Sequence, residues 1–159
     1  MAWRAPRRGT ILIDTNLLLV LLVGALDPDQ VERFKRTRSY TRDDYELLMD
    51  FVSRYGRIVT TPNVLTEVSN LAGQLAEPLR RDALMALGVL IAQLEERSRP
   101  SAELVRDVSF SRLGLADVSV ISAADPSTTV LTDDLPLYVR LSDAGIEAIN
   151  FNHVRSGSW

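Results

Sequence analysis

Ile11-Leu12-Ile13 runs directly into Asp14-Thr15-Asn16, and this change of character constrains the fold more than any other stretch of the chain. An apolar run that ends on a carboxylate, a hydroxyl and an amide reads as a strand buried on both faces, as in a parallel sheet covered by helices. In open α/β sheets the functional crevice lies beyond the carboxyl ends of the strands, which is where Asp14 falls. The same residue is equally suited to cap a helix that begins at Leu17. Three later segments bring carboxylates to comparable places, and they turn the reading toward a site.

The chain has 159 residues, 46% of them hydrophobic and 25% charged, which is the make-up of one globular domain with its own core. A net charge of −3 means that a nucleic-acid partner has to meet a local basic patch. With no cysteine, disulfides, thiolate zinc sites and cysteine nucleophiles are excluded. Arg4, Arg7 and Arg8 ahead of the stretch from Ile11 to Leu26 give a superficial likeness to a signal peptide. Asp14 and Asn16 interrupt that stretch, and Leu17–Leu26 is too short to span a bilayer. The expectation is therefore a cytoplasmic protein with no membrane partner.

Taken in order, a first strand at Thr10–Asp14 leads into an apolar, buried helix at Leu17–Leu26. Asp27-Pro28-Asp29 starts a short helix, Asp29–Lys35. Arg33, Lys35, Arg36, Arg38 and Arg42 cluster there with Phe34 and Tyr40 interleaved, a pattern fit to contact nucleic-acid phosphates, although a basic run more often serves as plain solvated surface. Thr41 to Asp44 opens a helix whose inner positions are Tyr45, Leu48, Met49 and Val52. A second strand at Arg57–Thr60 meets Thr61-Pro62, a strong N-cap and first-turn pair. The helix after it carries the stripe Val64, Val68, Leu71 and Leu75, with Glu67 at its edge and expected to face inward or half-inward. A carboxylate so placed calls for a cation.

Glu77–Leu94 reads as one long amphipathic helix, Ser101–Ser111 stays open between strand and helix, and Leu115–Ala124 is a helix with Asp117 in its first turn. Asp117 there is equally well explained as a favourable charge at a helix start. Thr128–Thr132 is a further buried strand ending in Asp133-Asp134, followed by a helix over 135–144 and a last strand over 146–151. The fold expected is α/β, a single domain with a central parallel sheet flanked by helices. It comprises an N-terminal arm (1–9), the domain proper (10–152) and a flexible tail (153–159).

In such a sheet successive strand ends share one edge, so Asp14 and Asp133/Asp134 can converge. Two unit charges about 4 Å apart repel by about 4 kcal/mol at an effective dielectric of about 20, so a carboxylate cluster needs cations or shifted pKa values. All-oxygen ligands favour Mg²⁺ or Mn²⁺. Carboxylate-held Mg²⁺ suits phosphoryl chemistry.

Ile-Asp-Thr-Asn at 13–16, Thr-Pro-Asn-Val-Leu-Thr-Glu-Val at 61–68, Leu-Ala-Asp-Val-Ser-Val-Ile at 115–121 and Val-Leu-Thr-Asp-Asp at 130–134 together resemble a PIN domain, and Gly-Ile-Glu-Ala-Ile-Asn-Phe at 145–151 resembles that family's last strand. The resemblance covers about residues 10–152. It implies a Mg²⁺- or Mn²⁺-dependent endoribonuclease in which Asp14, Glu67, Asp117 and Asp134 form the acidic quartet. Thr15, Asn16, Thr132 and Asp133 are the supporting residues. Many small members are VapC-like toxins that act on RNA as homodimers and pair with an antitoxin protein. The chain departs from the pattern in the longer segment between Asp14 and Glu67, which holds Arg33, Lys35, Arg36 and Arg38, and in the doubled aspartate.

Rival readings fit less well. A receiver domain needs a lysine after a late strand, and Lys35 is early and alone. A haloacid-dehalogenase phosphatase wants a second aspartate where Asn16 stands. Serine–histidine catalysis would have only His153 to use. The remaining alternative is a PIN-like module that binds RNA or protein with little catalysis.

Overall fold

Strand β1 (Thr10–Ile13) occupies the middle of a five-stranded, all-parallel sheet in the computed structural model, which describes residues 9–157. Most of the expected N-terminal arm, including Arg4, Arg7 and Arg8, lies outside the described residues, as do the last two residues of the expected tail. After β1 come α1 (Thr15–Leu26), α2 (Gln30–Arg33), α3 (Arg42–Val52), β2 (Arg57–Thr60), α4 (Pro62–Ala72), α5 (Leu79–Ile91) and β3 (Glu95–Glu96). The chain continues with α6 (Ser101–Leu104), α7 (Phe110–Leu113), α8 (Leu115–Ala123), β4 (Thr128–Thr132), α9 (Leu135–Asp143), β5 (Ala148–Asn150) and α10 (Phe151–Ser156).

The strand order β3-β2-β1-β4-β5 reverses direction between β1 and β4, so the crevice expected of open α/β sheets opens between those two strands. Every residue of β1 and of β4 is buried, the signature of strands covered on both faces. Their register pairs Leu12 with Val130 and Ile13 with Leu131, and the Asp14 N–H then donates to the Leu131 carbonyl at 3.0 Å. On the other side Leu12 pairs with Val59. Asp14, Thr61 and Thr132 thus leave the sheet at one level.

Helix α1 buries eight of its twelve residues and packs against α2, α3, α4 and α5. Gly24 is what lets α3 approach, because a Cβ there would collide with the Tyr45 ring. Thr41 and Asp44 form a reciprocal capping box at the start of α3. The inner face of α3 is Tyr45, Leu48, Phe51 and Val52, whereas Met49, expected inside, is 48% exposed.

Strand β3 is absent from the expectations drawn from sequence. Its two glutamates have little β preference, and tertiary anchoring supplies what local propensity does not. The Arg97 N–H donates to the Thr60 carbonyl at 2.9 Å, and its guanidinium reaches Glu95, Asp125, Thr128 and the Ala123 carbonyl. Two acidic residues on so short an edge also discourage further strand pairing. Residues 101–113 resolve into the short helices α6 and α7. The region expected to loosen from His153 onward is instead helical through Ser156, with Phe151 and Val154 buried. No helix among the described residues is long and apolar enough to cross a membrane.

Candidate active site

Asp14 closes β1 and opens α1, so the capping role and the site role coincide. Its Oδ1 accepts from the Thr15 N–H at 2.6 Å, and its Oδ2 accepts from Thr132 Oγ1, also at 2.6 Å. The carboxyl is 5% exposed, and burial pushes its pKa up to about 6 against the opposing hydrogen bond from Thr132. The neighbouring Asp133 and Asp134 charges push in the same direction.

Asp134 is the N-cap of α9, its Oδ1 accepting from the Leu137 N–H at 2.8 Å, with Pro136 in the first turn. The Asp134 N–H in turn donates to Thr132 Oγ1 at 3.0 Å. Thr132 therefore orders two of the four expected acids.

Glu67 and Asp117 arrive on α4 and α8, and one polar contact joins those helices. Thr61 caps α4 and stands 2.7 Å from Ser119 Oγ on α8. Ser119 gives its single proton to the Ala116 carbonyl at 2.5 Å, so Thr61 is the donor of this pair. Sequence reasoning identifies Thr61 as a cap but misses Ser119, whose signal is a hydroxyl two residues after Asp117. Gly114, at φ +86° and ψ 177°, takes a backbone conformation nearly confined to glycine and starts α8 beside the cavity.

All four acids line one cavity of about 380 Å³, together with Thr15, Asn16 and Asn70. Asp117 is half-buried there, and its carboxyl is pushed up to about 7, first by burial and then by Asp14, Asp134, Glu67 and Asp133. Proximity of charge is thus written into the site.

One expectation needs correction. Glu67 is exposed, not inward-facing. The buried face of α4 is centred on Val64, Leu65, Val68 and Ala72, which turns Glu67 to its flank. Its Oε2 accepts from Thr15 Oγ1 at 3.1 Å, so the demand for a cation does not come from Glu67; the buried acid is Asp14. The aromatics interleaved in the basic stretch are turned into the core. Phe34, Thr37 and Tyr40 are 6%, 0% and 4% exposed, and successive turns bring every third residue inward. Arg33, Lys35, Arg36 and Arg38 remain exposed outside the cavity, with Arg36 Nε donating to Gln74 Oε1 at 2.8 Å.

Among the described residues no three acidic or histidine side chains stand grouped to hold a metal ion directly. The acids share a cavity, not a closed cage. That donor set, all oxygen and widely set, fits a hydrated Mg²⁺ or Mn²⁺ that keeps several waters and takes one or two carboxylates directly. Asp133 lies beside this cavity, where it accepts hydrogen bonds from Tyr40 and Asn16.

The fold and site define a single α/β domain, a five-stranded parallel sheet flanked by helices with an acidic cavity at its switch point. No protein-family model matches the chain, and no curated protein matches it.

Proposed function

We propose that the chain is a metal-dependent endoribonuclease, a PIN-like domain of the VapC toxin type that hydrolyses RNA phosphodiester bonds. The observation that carries this reading is the convergence of Asp14, Glu67, Asp117 and Asp134, from four separate elements, on one cavity. These four would hold Mg²⁺ or Mn²⁺, directly or through water. When bound, the ion supplies a water of lowered pKa and neutralises charge that develops on the phosphodiester.

The chain's own residues do the rest. Thr132 and the α1 N-terminus fix the Asp14 carboxylate. Thr15 steadies Glu67, and the α9 cap fixes Asp134. Asp14 and Asp117 give up their protons on binding the ion, so affinity rises with pH. Arg33, Lys35, Arg36 and Arg38 would meet the RNA backbone through charge alone, since the intervening aromatics are buried. The same reading includes a cytoplasmic homodimer with a cognate antitoxin.

A second reading, a catalytically weak RNA- or protein-binding module, rests on the exposed Arg33, Lys35, Arg36 and Arg38 outside the cavity. Incubating the purified protein with a mixed RNA pool, in Mn²⁺ and again in chelator, separates the two. Cleavage confined to the Mn²⁺ arm supports the nuclease. RNA binding without cleavage in either arm supports the module.

A further inference from the structure

Tyr40 is remote from the acidic residues in sequence, yet it reaches the edge of their cavity. Its ring is buried against Phe151 of α10, centroids 6.2 Å apart, and Arg155 of the same helix lies 4.7 Å from the ring centre. Arg155 is itself fixed by Asp44 Oδ2 at 2.7 Å and by the Ser39 carbonyl at 3.1 Å. A ring held on these sides has one polar end to direct, and its hydroxyl donates to Asp133 Oδ2. Both Asp133 oxygens stand 3.4 Å from Asn16 Nδ2. Asn16 is exposed and lines the acidic cavity. A carboxylate only accepts, so Asn16 must offer it the amide nitrogen. That leaves Asn16 Oδ1, which accepts no hydrogen bond from any described residue, as an unused acceptor at the cavity.

We propose that Tyr40 is a positioning residue that, through Asp133, holds the Asn16 side chain so that its oxygen accepts a hydrogen bond from a sugar hydroxyl of the substrate strand. The proposal rests on the nuclease reading for its ligand. Phosphate oxygens repel an acceptor, and the 2′-hydroxyl is the donor that distinguishes ribose from deoxyribose. Tyr40 and Asn16 thereby set a preference for RNA over DNA at a site where the acidic residues themselves make none.

Tyr40→Phe tests this, because it keeps the ring under Arg155 and removes only the hydroxyl. In amide-selective NMR without metal, the Asn16 side-chain resonance should move toward solvent-exposed values in Tyr40→Phe, and an unmoved resonance overturns the positioning role. Binding of fluorescent ribo- and 2′-deoxyribo-oligonucleotides of one sequence is then compared in chelator. The wild type should prefer the ribose strand, and Tyr40→Phe should lose about two- to tenfold of that preference, the range of one neutral hydrogen bond. Asn16→Ala, at an exposed position, should lose the same preference and replaces Tyr40→Phe should the latter misfold. Preference unchanged in both variants overturns the selectivity. A wild type that binds both strands equally overturns the selectivity, the nuclease reading fails separately if no cleavage is seen in Mn²⁺, and the Asn16 resonance decides the positioning in either case.

Discussion

Thr132 Oγ1 donates to Asp14 Oδ2 at 2.6 Å while accepting from the Asp134 N–H at 3.0 Å, so one buried hydroxyl joins the acids that follow β1 and β4. Thr132→Val conserves shape and removes both bonds. A buried carboxylate oxygen and a backbone N–H lose their partner, so chemical denaturation without metal should show a destabilisation of about 2 kcal/mol or more. A variant as stable as the wild type would show that other groups order this corner of the site.

Asp14 and Asp117 give the metal-free protein an unusual pH response. Both carboxyls titrate higher in the fold, near 6 and 7, than the 3.8 of an unstrained aspartate. A native state that binds protons more tightly than the unfolded chain gains stability that is fully present below about pH 4 and lost as pH rises through 6 to 7. Melting temperature in chelator should therefore fall between pH 5 and pH 7.5. Asp14→Asn removes the titrating group and should flatten that fall, while its one amide oxygen can serve the Thr15 N–H or the Thr132 hydroxyl but not both. A wild-type melting temperature that rises over the same interval contradicts the electrostatics described for the cavity.

The paired aspartates have different tasks. Asp134 lines the cavity and caps α9, while Asp133 turns to Tyr40 and Asn16. Asp134→Asn should preserve metal-free stability and lose most of the melting shift that Mn²⁺ produces. Asp134→Ala should in addition cost about 0.5–2 kcal/mol through removal of the cap. Asp133→Asn should keep most of the Mn²⁺ shift, and a larger effect there than in Asp134→Asn would exchange their roles.

The elements that carry the acids are legible because their signals are local. Ile11 to Ile13 and Thr128 to Thr132 read as doubly buried strands, and Thr61-Pro62 as a helix start. What escapes depends on distant partners. The two-residue strand at Glu95–Glu96 exists because Arg97 is anchored on residues around 123–128. Glu67 faces outward because Leu65 and Ala72 shift the buried face of α4, which a stripe drawn through Leu71 and Leu75 obscures. Tyr40 reads as one more residue of the basic surface stretch when only its neighbours are considered. The three-residue spacing of Phe34, Thr37 and Tyr40 is the sequence sign that it faces inward. Phe151 and Val154, spaced alike, mark the final helix in what reads as a loose tail.

Arg33, Arg36 and Arg38 are exposed and offer charge without stacking. Replacing all three by alanine should weaken RNA binding and reduce its salt slope by about 0.7 log units for each single-strand phosphate that is no longer neutralised. An unchanged slope would return the stretch to ordinary surface.

The most direct test of the metal-dependent nuclease is the rate of Mn²⁺-dependent RNA cleavage by Asp14→Asn beside the wild type, each shown to be folded by its melting curve. The wild type should cleave in Mn²⁺ and stop in chelator, while Asp14→Asn, still folded, should not cleave at any Mn²⁺ concentration. Wild-type cleavage rates in the folded Asp14→Asn protein would contradict the role given to this carboxylate and the mechanism built on it.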